Sequence, residues 1–228
     1  MRKIVLLLTS VALALLLASG VGLLNTVTPA KATFAGQNGK ISYAHDSGAR
    51  VSPDDYDIYT IDATGAAPFN VTKNNTLDYM PSYSPDGTTI AYECWDGADY
   101  EICTIDARGG TPFQVTNNDT SDGNPSYSPD GTTIAYTTYD GTDVEIYTID
   151  ATGGTPVQIT YNNTHDEHAS YSPDGTTIAY SGEDGTPPTA DSEIYTINAT
   201  GGTPVRITHN SDEDRHPSWG VVRSGTSN

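Results

Sequence analysis

Ser82–Tyr92 reads Ser-Tyr-Ser-Pro-Asp-Gly-Thr-Thr-Ile-Ala-Tyr, and the same eleven residues recur unchanged at Ser126–Tyr136 and Ser170–Tyr180. Both intervals are 44 residues. Self-similarity at a fixed period of this size marks a repeat architecture. Within the string, proline presets φ for a turn and glycine adopts a conformation that other residues resist, so Pro-Asp-Gly reverses the chain. Thr-Thr-Ile-Ala-Tyr, β-branched and aromatic, then reads as a strand.

A second string lies downstream. Ile58–Asp62 reads Ile-Tyr-Thr-Ile-Asp, with counterparts at Ile102–Asp106, Ile146–Asp150 and Ile194–Asn198. The last interval is 48 residues because a Pro-rich insertion occupies Gly185–Asp191. Asp-Gly turns at Asp96-Gly97 and Asp140-Gly141 mark tight hairpins between the second and third strands, with Asp184-Gly185 in the loop of the last unit. Gly109-Gly110, Gly153-Gly154 and Gly201-Gly202 open a turn to a fourth strand. That strand ends in Val71-Thr72, Val115-Thr116, Ile159-Thr160 or Ile207-Thr208.

Four antiparallel strands in about 40–50 residues is the period of a propeller blade, with an open β-solenoid as the competing arrangement. The ends of the repeat array favour the propeller. The first unit begins at Gly39-Lys40-Ile41-Ser42-Tyr43, which matches the second strand, and its Pro-Ser-Tyr-Ser is missing. His216-Pro217-Ser218-Trp219 supplies that piece after the fourth unit. The expected fold is therefore all-β, a β-propeller of four four-stranded blades closed by a C-terminal strand that completes the first blade. Such closure hides two sheet edges.

Arg2 and Lys3 precede an almost wholly apolar run from Ile4 to Ala18, and Ala30-Lys31-Ala32 offers small residues where a signal peptidase needs them. Residues 1–32 are read as a signal peptide, 33–223 as the propeller and 224–228 as a short tail. An uncleaved anchor is the alternative reading of the apolar run. No further run of spanning length follows, so no membrane insertion is expected after cleavage. The expected location is secreted, cell surface or periplasmic.

The formal charge is −19. Loss of Arg2, Lys3 and Lys31 with the leader leaves 7 basic against 29 acidic residues. A surface this negative repels nucleic acid and suits cations or basic ligands. Cys94 and Cys103 stand nine residues apart in one repeat without counterparts elsewhere. In an exported chain the pair is a disulfide candidate across a hairpin, and the register decides whether the bond forms.

The repeat resembles PD40, the WD40-like propeller repeat of the TolB family, over nearly all of Gly39–Trp219. That family usually has tryptophan where this chain has Tyr83, Tyr127 and Tyr171, and Trp219 keeps it. TolB-like propellers usually carry six or more blades, and TolB itself has an additional N-terminal domain. TolB is a periplasmic partner of a peptidoglycan-associated lipoprotein, so the resemblance implies an envelope role. Related repeats accompany α/β-hydrolase domains in some peptidases. This sequence contains no G-x-S-x-G nucleophile elbow.

Asp86, Asp130 and Asp174 repeat within Pro-Asp-Gly and read as turn residues that bond local amides. The segments joining successive blades are more informative. Each carries an aspartate two residues ahead of a varied position: Asp78 and Met80, Asp122 and Asn124, Asp166 and His168, Asp214 and His216. These segments lead into the innermost strands, so the four aspartates are expected around one channel mouth, where a carboxylate ring would attract Ca²⁺. The competing reading is that each aspartate caps its own loop. Met80, Asn124, His168 and His216 vary against a constant frame, as a ligand-binding surface does. His168 and His216, with Asp166 and Asp214, also form a candidate transition-metal set.

These features point to a non-catalytic binding or scaffold protein with no required cofactor, which takes a protein or carbohydrate ligand of the cell envelope. The rival is a metal-dependent lyase or hydrolase acting on an extracellular polymer. Three or more convergent ligands would distinguish it. A homodimer joined into a larger ring is the third arrangement.

Overall fold

The computed structural model describes residues 39–46, 56–185 and 191–220. The expected leader, the 224–228 tail and part of the Pro-rich insertion lie outside them. Fifteen strands and no helix occur among the described residues, which therefore hold no helix long and apolar enough to cross a membrane.

The strands form four antiparallel sheets in chain order. Blade one is β1 (Lys40–Asp46), β2 (Tyr56–Asp62) and β3 (Phe69–Asn70). Blade two is β4 (Asp78–Tyr83), β5 (Thr89–Trp95), β6 (Tyr100–Asp106) and β7 (Phe113–Gln114). Blade three is β8 (Asp122–Tyr127), β9 (Thr133–Tyr139), β10 (Val144–Asp150) and β11 (Val157–Gln158). Blade four is β12 (Asp166–Tyr171), β13 (Thr177–Glu183), β14 (Ser192–Asn198) and β15 (Val205–Arg206). Registers repeat with the sequence: Ile41 faces Ile61 as Ile90 faces Ile105, Ile134 faces Ile149 and Ile178 faces Ile197.

The Pro-Asp-Gly turns behave as the sequence predicts. Ser84 Oγ and the Thr88 amide both donate to Asp86 Oδ1, at 2.7 and 3.0 Å, and Gly87 sits at φ 72°. Asp130 and Asp174 do the same. The Thr88 amide, the Ser84 hydroxyl and the Thr88 hydroxyl together hold the Asp86 carboxyl below its ordinary range. These carboxylates are structural.

The hydrophobic core lies between blades. Each sheet alternates, so one face meets the preceding blade and the other the following one. Ile58 and Val71 of blade one pack with Ile90, Tyr92, Cys94, Cys103 and Ile105 of blade two. Ile102 and Val115 then meet Ile134, Tyr136 and Ile149, and Ile146 and Ile159 meet Ile178, Tyr180 and Ile197. The first junction contains a disulfide between Cys94 and Cys103, whose Cα atoms are 5.8 Å apart. Tyr92, not Cys94, lies directly opposite Cys103 in the register, so the bond runs diagonally between the strands.

The closing strand is where the expectation needs correcting. Blade one has three strands among the described residues, and β1 pairs only with β2. Residues 211–220 form no strand. The tail does reach the axis, where Trp219 joins Tyr83, Tyr127 and Tyr171 around a cavity of about 190 Å³. It is tied to blade four, because Trp219 Nε1 donates to Ser170 O at 3.0 Å and the His216 amide to Ser181 Oγ at 3.1 Å. The Asn124 amide bonds Glu93 Oε1 of the preceding blade in the same way. Local packing on the preceding repeat therefore places the tail, and among the described residues no ladder carries it to β1.

Candidate functional site

One face of the blade array gathers the loops that enter the inner strands and the hairpins that join second to third strands. Every inner strand entered by such a loop begins with an irregularity. The pairing register shifts between Tyr79 and Ser82, Gly123 and Ser126, and Glu167 and Ser170. The extra residue is Met80, Asn124 or His168, at φ 46°, 52° and 57°, and His216 in the tail repeats it at 56°. Left-handed backbone at a non-glycine residue is uncommon, and β-bulges serve to re-aim a side chain. Met80 and His216 are exposed, whereas Asn124 and His168 are half-buried. The four varied positions of the sequence thus share one backbone device on one face.

The two imidazoles meet, with His168 and His216 ring centroids 3.8 Å apart. Burial, then the neighbouring His216, push the His168 pKa below its ordinary value. Asp166 and Asp214 do not join them as ligands. Three clusters of acids come close enough to hold a metal among the described residues, and none includes a histidine. They are Asp96, Asp99 and Glu101; Asp140, Asp143 and Glu145; and Asp184, Asp191 and Glu193.

The four loop aspartates have a different setting from an open rim. Asp78, Asp122 and Asp166 are 0, 1 and 2% exposed, while Asp214 is half-buried. Each accepts a hydrogen bond from the asparagine four residues earlier in its own loop, at 2.7–2.8 Å. The amide of that same asparagine donates to an acid on the third strand of the preceding blade. The pairs are Asn74 to Asp57, Asn118 to Glu101, Asn162 to Glu145 and Asn210 to Glu193. Thr72, Thr116, Thr160 and Thr208 bond those acids through their hydroxyls.

The result is a buried tether at each blade exit, with an acid from the third strand set near the loop aspartate. Burial pushes the Asp78 carboxyl up to about 7 despite bonds from Thr72 and Asn74. Burial likewise raises Asp122, and it raises Asp166 with help from the Glu145 charge. Sequence reasoning missed the partner acids. Their signal was present, as Glu heads three of the four Ile-Tyr-Thr-type strings and Thr ends every fourth strand, but no property of one sequence shows that the two meet.

The opposite face carries a groove of about 740 Å³ between blades two and three, lined by Pro85, Thr88, Phe113, Tyr127, Pro129 and Thr152. Its walls are largely the invariant turns, so it differs from the loop face in kind.

Successive antiparallel blades, three of them four-stranded and one three-stranded among the described residues, with the varied residues gathered at one face, define a β-propeller. The comparisons give the same class. The family model for the TolB beta propeller domain, PD40, matches residues 24–224. This chain belongs to that family. No curated protein matches it significantly.

Among solved structures, a putative TolB from Agrobacterium tumefaciens is 25% identical, with a TM-score of 0.61 over 68% of this chain and 57% of that one. TolB from Acinetobacter baumannii is 24% identical, with a TM-score of 0.67 over 79% and 44%. An oligogalacturonate lyase in complex with manganese shares the fold at 19% identity, with a TM-score of 0.52 over 74% and 44%. The chain therefore spans about half the length of these structures.

Proposed function

We propose that this chain is a non-catalytic binding or scaffold module of the cell exterior or envelope, holding a protein or carbohydrate ligand on its loop face. The observation that carries this reading is the set Met80, Asn124, His168 and His216, three kinds of side chain at four copies of one left-handed backbone position. A rigid scaffold with variable loops is how recognition surfaces are commonly built. Membership of the TolB propeller family supports an envelope location, and residues 1–32 fit the leader such a location requires. The metal-dependent lyase or hydrolase reading needs three convergent ligands. The meeting of two histidines alone gives it little support, since Asp166 and Asp214 bond their own loop asparagines.

The test is capture from envelope extracts by the mature chain and by a variant with all four bulge residues changed to glycine, which keeps the backbone conformation. Loss of a specific ligand in the variant supports the reading. Equal capture by both removes this face from consideration.

A second copy of the chain is the partner we propose for the array's two ends. Ile207 is 52% exposed although its counterparts Val71, Val115 and Ile159 are 1–6% exposed, and Ile41 is 54% exposed although Ile90, Ile134 and Ile178 are fully buried. The end of blade four thus offers the surface that earlier blades bury against a successor. Blade one offers the matching surface that later blades bury against a predecessor. A head-to-tail contact between copies would repeat a junction already formed three times, and such contacts close into rings when the rotation allows.

A further inference from the structure

Three acidic clusters flank the connections between second and third strands, and blades three and four solve the same electrostatic problem differently. In blade three, ligand oxygens of Asp140, Asp143 and Glu145 all lie within 4.8 Å of one another. Asp143 is only 3% exposed, and neither of its carboxylate oxygens has a hydrogen-bond partner. Buried charged oxygens without partners are costly, so this one calls for a ligand. Glu145, fully buried, adds a second carboxylate, and Asp166 stands beside it. No basic side chain forms an ion pair with these acids among the described residues.

In blade four the equivalent cluster has a cation. Arg206 places one guanidinium nitrogen 2.5 Å from Asp184 and the other 2.5 Å from Glu193. The registers identify its counterparts: Arg206 pairs with Tyr195 as Gln158 pairs with Tyr147 and Gln114 with Cys103. Blades two and three therefore present the same three acids with a neutral amide where blade four has a positive charge.

We infer that the hairpins of blades two and three bind a divalent cation, Ca²⁺ by preference, through Asp96, Asp99 and Glu101 and through Asp140, Asp143 and Glu145, and that Arg206 replaces the ion in blade four. The donor set is all oxygen, which selects a hard cation over zinc or copper. Oxygens on opposite sides of a Ca²⁺ ion stand roughly 5 Å apart, given bonds of 2.3–2.6 Å, so the clusters have the right span. Irregular ligand sets completed by water and carbonyl oxygen suit Ca²⁺ better than Mg²⁺, which demands near-octahedral order. An ion here would lock each hairpin to the adjoining blade-exit loop through Glu101 or Glu145, since those acids also hold Asn118 and Asn162. That would stiffen the face which carries Asn124 and His168.

Calorimetric titration of the metal-free full chain with Ca²⁺ tests the inference by counting sites. The wild type should take up two ions, Gln158→Arg one, the Gln114→Arg/Gln158→Arg double variant none, and Arg206→Gln three. Asp143→Asn should lose one ion yet raise the melting temperature of the metal-free chain, an outcome that misfolding cannot imitate. No uptake by the wild type at millimolar Ca²⁺ would overturn the inference, as would an unchanged count in Gln158→Arg. If the double variant fails to fold, Arg206→Gln still decides: a count that does not rise above the wild-type value refutes the role given to Arg206.

Discussion

The three interior blade junctions and the two ends of the array are built from the same residues and end in opposite states. Ile146 of blade three is fully buried, whereas Ile194, its counterpart in blade four, is half-buried. Tyr92 is fully buried in blade two, while its blade-one counterpart Tyr43 is half-buried. The difference lies outside the side chains, in whether another blade follows. A blade of this kind has no core of its own, so its stability is largely that of its contacts with neighbours, as in other repeat proteins.

The largest expected effect compares the two regions directly. Ile146→Ala removes a side chain from a closed junction and should cost about 2–5 kcal/mol, as large-to-small core changes do. Ile194→Ala should cost well under half of that in dilute solution. Urea denaturation of the two variants measures both. Equal losses would mean that the end face is covered in solution.

Ile207→Asp addresses what covers that face. If copies join head to tail, the wild type should show at least twice the chain mass by light scattering and this variant the mass of one chain. Its unfolding free energy at low concentration should change by less than about 1 kcal/mol, because the site is exposed in a single chain. A wild type that remains a single chain at high concentration rules out the second copy.

The interior junctions should also carry the pH response. The Asp78 carboxyl is raised from 3.8 to about 7 by burial, so the folded chain holds a proton that the unfolded chain has released. Stability from this group is full below about pH 4, falls as pH rises toward 7, and then levels off. Asp78→Asn should therefore flatten the decline in melting temperature between pH 5 and pH 7.5, and an unchanged slope would contradict the buried setting of this acid.

The smallest effect concerns the bulges. Asn124→Gly and His216→Gly each put glycine where φ is 52° and 56°, relieving left-handed strain. Each should change stability by no more than about 1 kcal/mol, since lost strain is offset by the greater freedom of the unfolded chain. A much larger loss at Asn124 than at His216 would show that the interior bulge side chain is a packing element and not a presented one.

The history of particular residues shows how far one sequence can be read. Ser82–Tyr92 and its copies specify turns, strands and blade period, because Pro-Asp-Gly chemistry and strand alternation act over a few residues. The same locality made Asp86 legible as a turn residue. Asp78, Asp122 and Asp166 were legible as a repeated set but not as buried ones, since their burial depends on Asp57, Glu101 and Glu145 a full strand pair away. The Asp-Gly hairpins read as turns alone, because the third acid of each cluster is brought in by register.

The sequence by itself determined the repeat, the strand order within a blade, membership of a propeller family and the positions that vary between blades. Tertiary structure alone decided that Trp219 stays with blade four, that Cys94 reaches Cys103 on the diagonal, and that Arg206 lands between two carboxylates. The reason is physical. Turns and strands are set by torsional preferences within a few residues, whereas closure, charge pairing and burial are set by which distant surfaces come into contact.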